Sequence, residues 1–338
     1  MAERRERILV TGGAGFIGSH LVDLLLERPG AEVVVLDKLT YAGTRRNLEH
    51  HGPDPRFTFV RGDVADAGAV APLVEGADRV IHAAAESFVD RSIEDSRAFV
   101  ISNVLGTQVV LEACREVGRP MLFVSTDEVY GSNEGEPFAE DAPIRPGNPY
   151  AASKAAADLL CRAYVATYGA PVTIVRGTNT FGPRQHPEKA IPTFATAALA
   201  GRPIPVYGDG SNRREWLYVR DFVRAIETVL DRGEPGGVYN IGGGYELTNL
   251  ELARRICAFL EVDGSQIAFV DDRPGHDLAY GVRWDRLEAL GWRPVVPFSD
   301  GLATTLAWYR DHPDWVEEIL RGAPASAGAG GAREGAPA

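Results

Sequence analysis

Lysine is almost missing from this chain. Of 35 basic residues among 338, only Lys38, Lys154 and Lys189 are lysine; the rest are arginine. A G+C-rich genome explains arginine wherever a positive charge alone is needed. Each surviving lysine therefore marks a position where a compact ammonium is required and a planar guanidinium does not fit. Sulfur is scarce too, with three cysteines and two methionines. Cys114, Cys161 and Cys257 are odd in number and far apart, which excludes a disulfide framework and shows no metal-ligand spacing. They read as reduced core thiols of a cytoplasmic protein, with no metal expected. No apolar run reaches the ~18 to 20 residues a membrane span requires, so no membrane partner is expected. The first residues lead into a strand-like segment rather than a signal-peptide core. Basic residues are also in deficit, 35 against 47 acidic, for a net charge of −12. Such a surface repels a phosphate backbone, and nucleic acid is not an expected partner.

What is present is strongly periodic. Short apolar runs at 8–10, 31–36, 57–60, 79–82, 121–125 and 172–176 alternate with helical patterns at 19–27, 99–117 and 150–168. This alternation predicts an α/β fold with a Rossmann-like doubly wound parallel sheet over residues 1–176. Beyond it, proline and glycine thicken and the elements shorten, which predicts a smaller α+β substrate-binding lobe over 177–215 and 242–321. A helix over 221–230 and a strand over 238–241 predict that 216–241 returns to the main sheet. Residues 322–338, rich in Gly, Ala, Pro and Ser, read as a disordered tail.

The segment Gly12-x-x-Gly15-x-x-Gly18 lies between a predicted strand and a predicted helix. Glycines there permit a tight turn and a close approach of backbone to a pyrophosphate, which the helix N-terminus then attracts. Asp37 ends the next strand, placed to accept hydrogen bonds from a ribose diol. Its charge would repel a 2′-phosphate, so NAD is favoured over NADP. Lys38 beside it either contacts the adenosine ribose or is simply solvated, and Asp63 is a candidate for the adenine amino group.

Tyr150-Ala-Ala-Ser-Lys154 places a phenol and an ammonium at i, i+4 on one helix face. A tyrosine alone titrates near ~10, and a neighbouring ammonium together with a positive nicotinamide ring favours the phenolate. Thr126, Asp127 and Glu128 follow a predicted strand, at the end where open α/β sheets bind ligands. Thr126 can hydrogen-bond Tyr150 or a substrate hydroxyl. The two acids read either as a helix N-cap pair on a solvated loop or as an acid and base separated by their surroundings.

These motifs resemble the extended short-chain dehydrogenase/reductase family and, within it, the dTDP-glucose 4,6-dehydratases. The resemblance spans residues 8–320 and includes Thr11 to Gly18, Asp37-Lys38-Leu39-Thr40, Ala84-Ala85-Glu86-Ser87, Val89-Asp90-Arg91-Ser92, Thr126 to Gly131 and Tyr150 to Lys154. Further along it includes Pro187-Glu188-Lys189, Tyr207-Gly208-Asp209-Gly210, Trp216-Leu217-Tyr218-Val219 and Asp272 to Asp277. It implies NAD-dependent dehydration of a nucleotide hexose, dTDP-glucose first, to the 4-keto-6-deoxy sugar nucleotide. Oxidation at C4, loss of water across C5 and C6 and hydride return to C6 make up the reaction. Tyr150 would serve as base at the 4-hydroxyl, Glu128 would take the C5 proton and Asp127 would protonate the leaving 6-hydroxyl.

The same resemblance adds Phe16, Ile17, Thr40, Val64, Ala83, Ala85 and Ser102 to the cofactor site. It assigns Ser87, Thr126, Asn179, Glu188, Lys189, Tyr207, Arg214, Asn249, Arg273 and His276 to the nucleotide sugar. It also implies a homodimer built on the helices 99–117 and 150–168. The chain departs from the pattern at Phe88, where the family reads His in Glu-Ser-His-Val-Asp. It departs again at Thr180 and Phe181, where the family reads Asn and Tyr. A 4-epimerase or UDP-glucuronate decarboxylase on the same scaffold is the alternative, and a silent NAD-binding regulator a third reading.

Overall fold

The computed structural model describes residues 5–133, 135–272, 279 and 281–322. Its strands are β1 (Glu6–Thr11), β2 (Ala31–Asp37), β3 (Phe57–Arg61), β4 (Arg79–His82), β5 (Met121–Thr126), β6 (Val172–Gly177), β7 (Asn179–Phe181), β8 (Ile204–Tyr207), β9 (Arg213–Tyr218), β10 (Val238–Ile241), β11 (Tyr245–Thr248) and β12 (Ile267–Val270). Seven of them form one sheet in the order β10-β6-β5-β4-β1-β2-β3, and every pairing in it is parallel. The chain order reverses between β1 and β4, which opens a crevice at the carboxyl ends of those strands.

Continuous apolar runs make these strands because both faces of the sheet are covered. On one face, Val10, Val35 and Val124 pack with Leu21 and Leu25 of the helix Phe16–Glu27 and with Phe222 and Ile226 of the helix Val219–Arg232. On the other, Leu9, Leu36 and Phe123 meet Val70, Val110, Cys114, Ala157 and Cys161. All three cysteines are free and buried. Among the described residues, no helix is long and apolar enough to cross a membrane.

The helix expected over 99–117 is longer and not uniform. It begins at Ser96, widens into a π-helical stretch at Val100–Leu105, and resumes as α-helix over Gly106–Val117. A widened turn shifts the apolar stripe without breaking the pattern, so periodicity alone does not reveal it. The bulge carries Asn103, whose side chain accepts from the Glu86 N–H at 2.8 Å and donates to the Glu86 carbonyl at 3.0 Å.

After β6 the chain builds a second core from Phe181, Phe194, Leu252, Ile256, Leu306 and Trp315. It is framed by a three-stranded sheet, β11-β9-β7, and a two-stranded one, β12-β8. Trp216 to Tyr218 belong to β9 and so to the three-stranded sheet, whereas Val238–Ile241 adds to the main sheet beside β6. The segment expected to be a disordered tail lies, from residue 323, outside the described residues.

Candidate active site

A single cleft runs along the carboxyl end of the main sheet from Asp37 and Asp63 to Thr126, Tyr150 and Lys189. At its start, β1 turns into the helix Phe16–Glu27. Gly12 has φ +73°, and a Cβ there would lie 2.6 Å from the Cα of Ala84. At Gly18 a Cβ would sit 2.1 Å from the Gly12 carbonyl oxygen, so no side chain fits at either position. Gly15 is the N-cap and brings no side-chain acceptor to the first turn. The N-terminal amides thus await an external anion.

Asp37 accepts from the Ala14 N–H at 2.9 Å on one oxygen and from the Leu39 N–H at 2.8 Å on the other. Burial pushes its pKa up against those hydrogen bonds, and each oxygen keeps a lone pair for a ribose hydroxyl. Lys38 and Asp63 pair with each other at 2.6 Å, so neither is simply solvated. Phe16, Ile17, Thr40, Val64, Ala83, Ala85 and Ser102 line the same cleft. A side-chain-free turn, an uncapped helix N-terminus and a carboxylate at the end of β2 together fit NAD.

The chemistry-bearing groups stand where β5 ends. Asp127 opens a single 3-10 turn, Asp127–Tyr130, and is 3% exposed. The Thr126 hydroxyl donates to its Oδ1 at 3.3 Å, while Oδ2 is buried with no partner among the described residues. Burial, then the charges of Glu128 and Glu215, raise the Asp127 pKa well above the ordinary carboxyl value. The neutral acid is thereby favoured over the carboxylate, which suits a proton donor. Glu128 is half-buried, and its N–H donates to the Thr126 hydroxyl. Of the two sequence readings, a solvated N-cap pair is excluded by this burial.

Tyr150 enters from the helix Pro149–Tyr168, which starts cleanly because Asn148 caps the Ala151 N–H at 2.9 Å and Pro149 occupies the first turn. The Tyr150 N–H donates to Ser92 Oγ at 3.1 Å, and Ser153 Oγ, held by Asn103, donates to the Tyr150 carbonyl. Lys154 Nζ donates to the Val124 carbonyl at 2.7 Å and lies 4.3 Å over the Phe123 ring. Burial pulls its pKa to about 8. The expected lowering of the Tyr150 pKa is not found in the protein alone. Burial, then Glu128, raise it, Asp127 adds to the rise, and a hydrogen bond with Thr126 opposes them. A phenol in a dry site beside two acids stays neutral until an external positive charge arrives.

The third wall is the segment 183–189. Its Arg184 donates to the Asn47 carbonyl at 3.0 Å and to His20 Nδ1 at 2.7 Å, and it pairs with Asp23. His20 in turn donates from Nε2 to the Pro183 carbonyl at 2.9 Å. The segment is thereby pinned to the helix that carries the glycine turn. Lys189 Nζ donates to the Ser87 carbonyl at 2.7 Å and lies 4.4 Å over Phe88. Glu188 is held by Arg91, whose Nε donates at 3.0 Å while its guanidinium stacks 4.0 Å over Tyr41.

Of the residues expected to touch the nucleotide sugar, Ser87, Thr126, Asn179 and Lys189 line the cleft. Glu188, turned to Arg91, does not, and neither do Tyr207, Arg214 and Asn249, which sit in the second lobe on β8, β9 and the first turn of the helix Asn249–Leu260. Arg273 and His276 lie outside the described residues. The cleft also holds Glu86, Thr178, Gln185 and His186, none of which the sequence reading placed there. Glu86 stood inside a quoted motif and was legible. Glu215, whose charge acts on Asp127, carried no local signal; it is buried under the N–H groups of Gly243, Gly244 and Val282.

A doubly wound sheet with a glycine turn after β1 and a Tyr/Lys helix facing paired acids defines a dinucleotide-dependent enzyme. Residues 8–242 match the model of the NAD dependent epimerase/dehydratase family, and the chain belongs to that family. A dTDP-glucose 4,6-dehydratase of an Actinoplanes species is 50% identical over 318 residues, 91% of this chain and 99% of that protein. The crystal structure of DesIV, a dTDP-glucose 4,6-dehydratase from Streptomyces venezuelae solved with NAD bound, superposes with a TM-score of 0.91 at 50% identity, covering 93% of this chain and 99% of that one. A Thermus thermophilus UDP-glucose 4-epimerase in complex with NAD gives 0.83 at 36% identity, covering 90% and 99%.

Proposed function

We propose that this protein removes water from a nucleotide hexose, dTDP-glucose first, to give the 4-keto-6-deoxy sugar nucleotide. The observation that carries the reading is Asp127, a buried carboxyl whose pKa burial and Glu128 raise, in the cleft that also holds Tyr150. An epimerase needs one base at C4 and has no use for a second acid and base. The 50% identical relatives named dTDP-glucose 4,6-dehydratase point the same way.

When bound, NAD supplies the oxidation at C4, the matching reduction at C6 and a positive ring beside Tyr150. The chain does the rest. Tyr150, hydrogen-bonded to Thr126 and ionised to the phenolate beside that positive charge, would receive the 4-hydroxyl proton. The resulting ketone acidifies C5–H, which Glu128 removes. Asp127 gives its proton to the departing 6-hydroxyl, so the leaving group exits as water. Lys154, anchored on the Val124 carbonyl, keeps an ammonium one helical turn beyond Tyr150. Ser87, Asn179 and Lys189 hold the sugar and its phosphates.

On this reading residues 1–176 and the returning 219–241 serve the cofactor, and 177–218 with 242–321 serve the nucleotide sugar. Val100, Leu105 and Leu159 leave apolar side chains exposed on the helices expected to pair, which favours a homodimer; a monomer mass in solution would overturn that. The function is tested by offering dTDP-glucose in deuterated water. A product lighter by one water with deuterium at C5 is expected. A mass-neutral inversion at C4, or carbon dioxide from UDP-glucuronate, would replace the dehydratase reading with the alternative.

A further inference from the structure

His186 lines the cleft and is 6% exposed. The Glu188 backbone N–H donates to its Nδ1 at 3.3 Å, which places the ring proton on Nε2. That Nε2–H is buried and has no hydrogen-bond partner among the described residues. The backbone of Tyr41 also acts on the ring, but it forms no hydrogen bond to this atom. Burial lowers the imidazole pKa to about 4, so it is a neutral donor at physiological pH. Buried donors in folded chains are almost always paired. One left open at the wall of a ligand cleft calls for an acceptor on the ligand.

A second, independent observation concerns its neighbour. The His186 ring meets Phe88 edge-on, with centroids 5.0 Å apart and planes at 74°. Phe88 is the position at which the resembled family carries an imidazole. In this chain the ring facing that position is the imidazole of His186, and the phenyl ring takes the Lys189 ammonium on its face. The pair still brings one imidazole and one aromatic ring to this part of the wall, beside Ser87 and Lys189.

We propose that His186 is a substrate-binding residue whose Nε2–H donates to an acceptor oxygen of the nucleotide hexose where sugar meets diphosphate, supplying from position 186 the imidazole that position 88 lacks. The inference rests on the nucleotide-hexose reading above, which places the sugar and diphosphate beside Ser87 and Lys189 on this wall.

Calorimetric titration of the NAD-loaded protein with dTDP-glucose reads affinity without needing turnover. His186→Phe is expected to weaken binding about five- to tenfold, the loss of one neutral hydrogen bond. Adding Phe88→His to that variant is expected to bring affinity back to within about twofold of wild type. If His186→Phe fails to fold, His186→Leu removes the same donor with less bulk, with the same loss expected. Equal affinity of wild type and the donor-less variant overturns the proposal, as does a loss that Phe88→His does not recover. A wild type that binds dTDP-glucose but releases no water sinks the dehydratase reading and leaves this contact standing. A wild type that does not bind it sinks both.

Discussion

Lys154 donates from Nζ to the Val124 carbonyl at 2.7 Å, one helical turn beyond Tyr150 and two residues before the end of β5. The contact fixes an ammonium inside the protein, where burial lowers its pKa from 10.5 to about 8. That drop corresponds to a penalty of about 3 kcal/mol for carrying the charge. Between pH 8 and 10.5 the unfolded chain still holds the proton that the folded chain has released, so stability rises with pH across this window. Below about 8 both states are protonated and the penalty is constant. Lys154→Met, which loses one hydrogen bond but no longer buries a charge, should be more stable than wild type at pH 7 by about 1–2 kcal/mol. The advantage should shrink toward pH 10. Urea titrations at several pH values measure this, and a destabilised variant at pH 7 would show that the ammonium is not strained.

Asp127 and Tyr150 are separable. Tyr150→Phe should stop the reaction at its first step, with turnover reduced about 10²- to 10⁴-fold and no reduced nicotinamide formed. Asp127→Asn should lose turnover to a similar degree but still oxidise the sugar, so the absorbance of reduced nicotinamide should build up. Stability shifts the other way. The folded Asp127 retains its proton above 3.8 while the unfolded residue gives it up, so wild type loses stability as pH climbs past that value. Asp127→Asn should escape this loss and melt higher than wild type at neutral pH.

The ion pair of Arg176 with Asp158 has both side chains fully buried, with hydrogen bonds of 2.9 and 2.7 Å. Arg176 also donates to the Tyr130 hydroxyl at 2.8 Å, which donates onward to Asn240. Tyr130 closes the turn that begins with Asp127. Arg176→Met leaves a lone buried carboxylate and should cost about 3–5 kcal/mol. The double variant with Asp158→Leu should recover most of it. Denaturant midpoints of the two single variants and the double give the coupling; additive losses would mean that the pair is not a unit.

Gly15 and Gly18 of the first turn should not respond alike. Gly18→Ala drives a Cβ to 2.1 Å from the Gly12 oxygen, whereas at Gly15 the nearest atom would be 3.3 Å away. Gly18→Ala should therefore purify without NAD or fail to fold. Gly15→Ala should fold and bind NAD with about tenfold weaker affinity, because its methyl group crowds the anion rather than the backbone. Nicotinamide content after gel filtration checks both, and equal loss in the two variants would contradict the geometry.

The amino-acid order alone determined the doubly wound sheet, the glycine turn and the pairing of Tyr150 with Lys154. Each of these is written in short-range periodicity, where neighbours along a strand or a helix face set the outcome. Asp127 and Glu128 were legible as a pair for the same reason, but whether they met solvent was not. Burial depends on what the rest of the chain lays over them, and it is the cover over β5, then Glu128 and Glu215 on β9, that raise the Asp127 pKa. The direction of the Tyr150 pKa likewise belongs to the tertiary structure, since it weighs desolvation against charges carried on different elements. Glu86, Gln185 and His186 reach the cleft through the π-helical turn at Asn103 and the anchoring of Arg184 to Asp23. Arg214 and Asn249, expected from the resemblance alone, stand on β9 and the helix Asn249–Leu260 of the second lobe, and no local spacing tied them to the cleft. Local spacing states which chemistry a chain carries, and only long-range packing states which of those groups share one dry space.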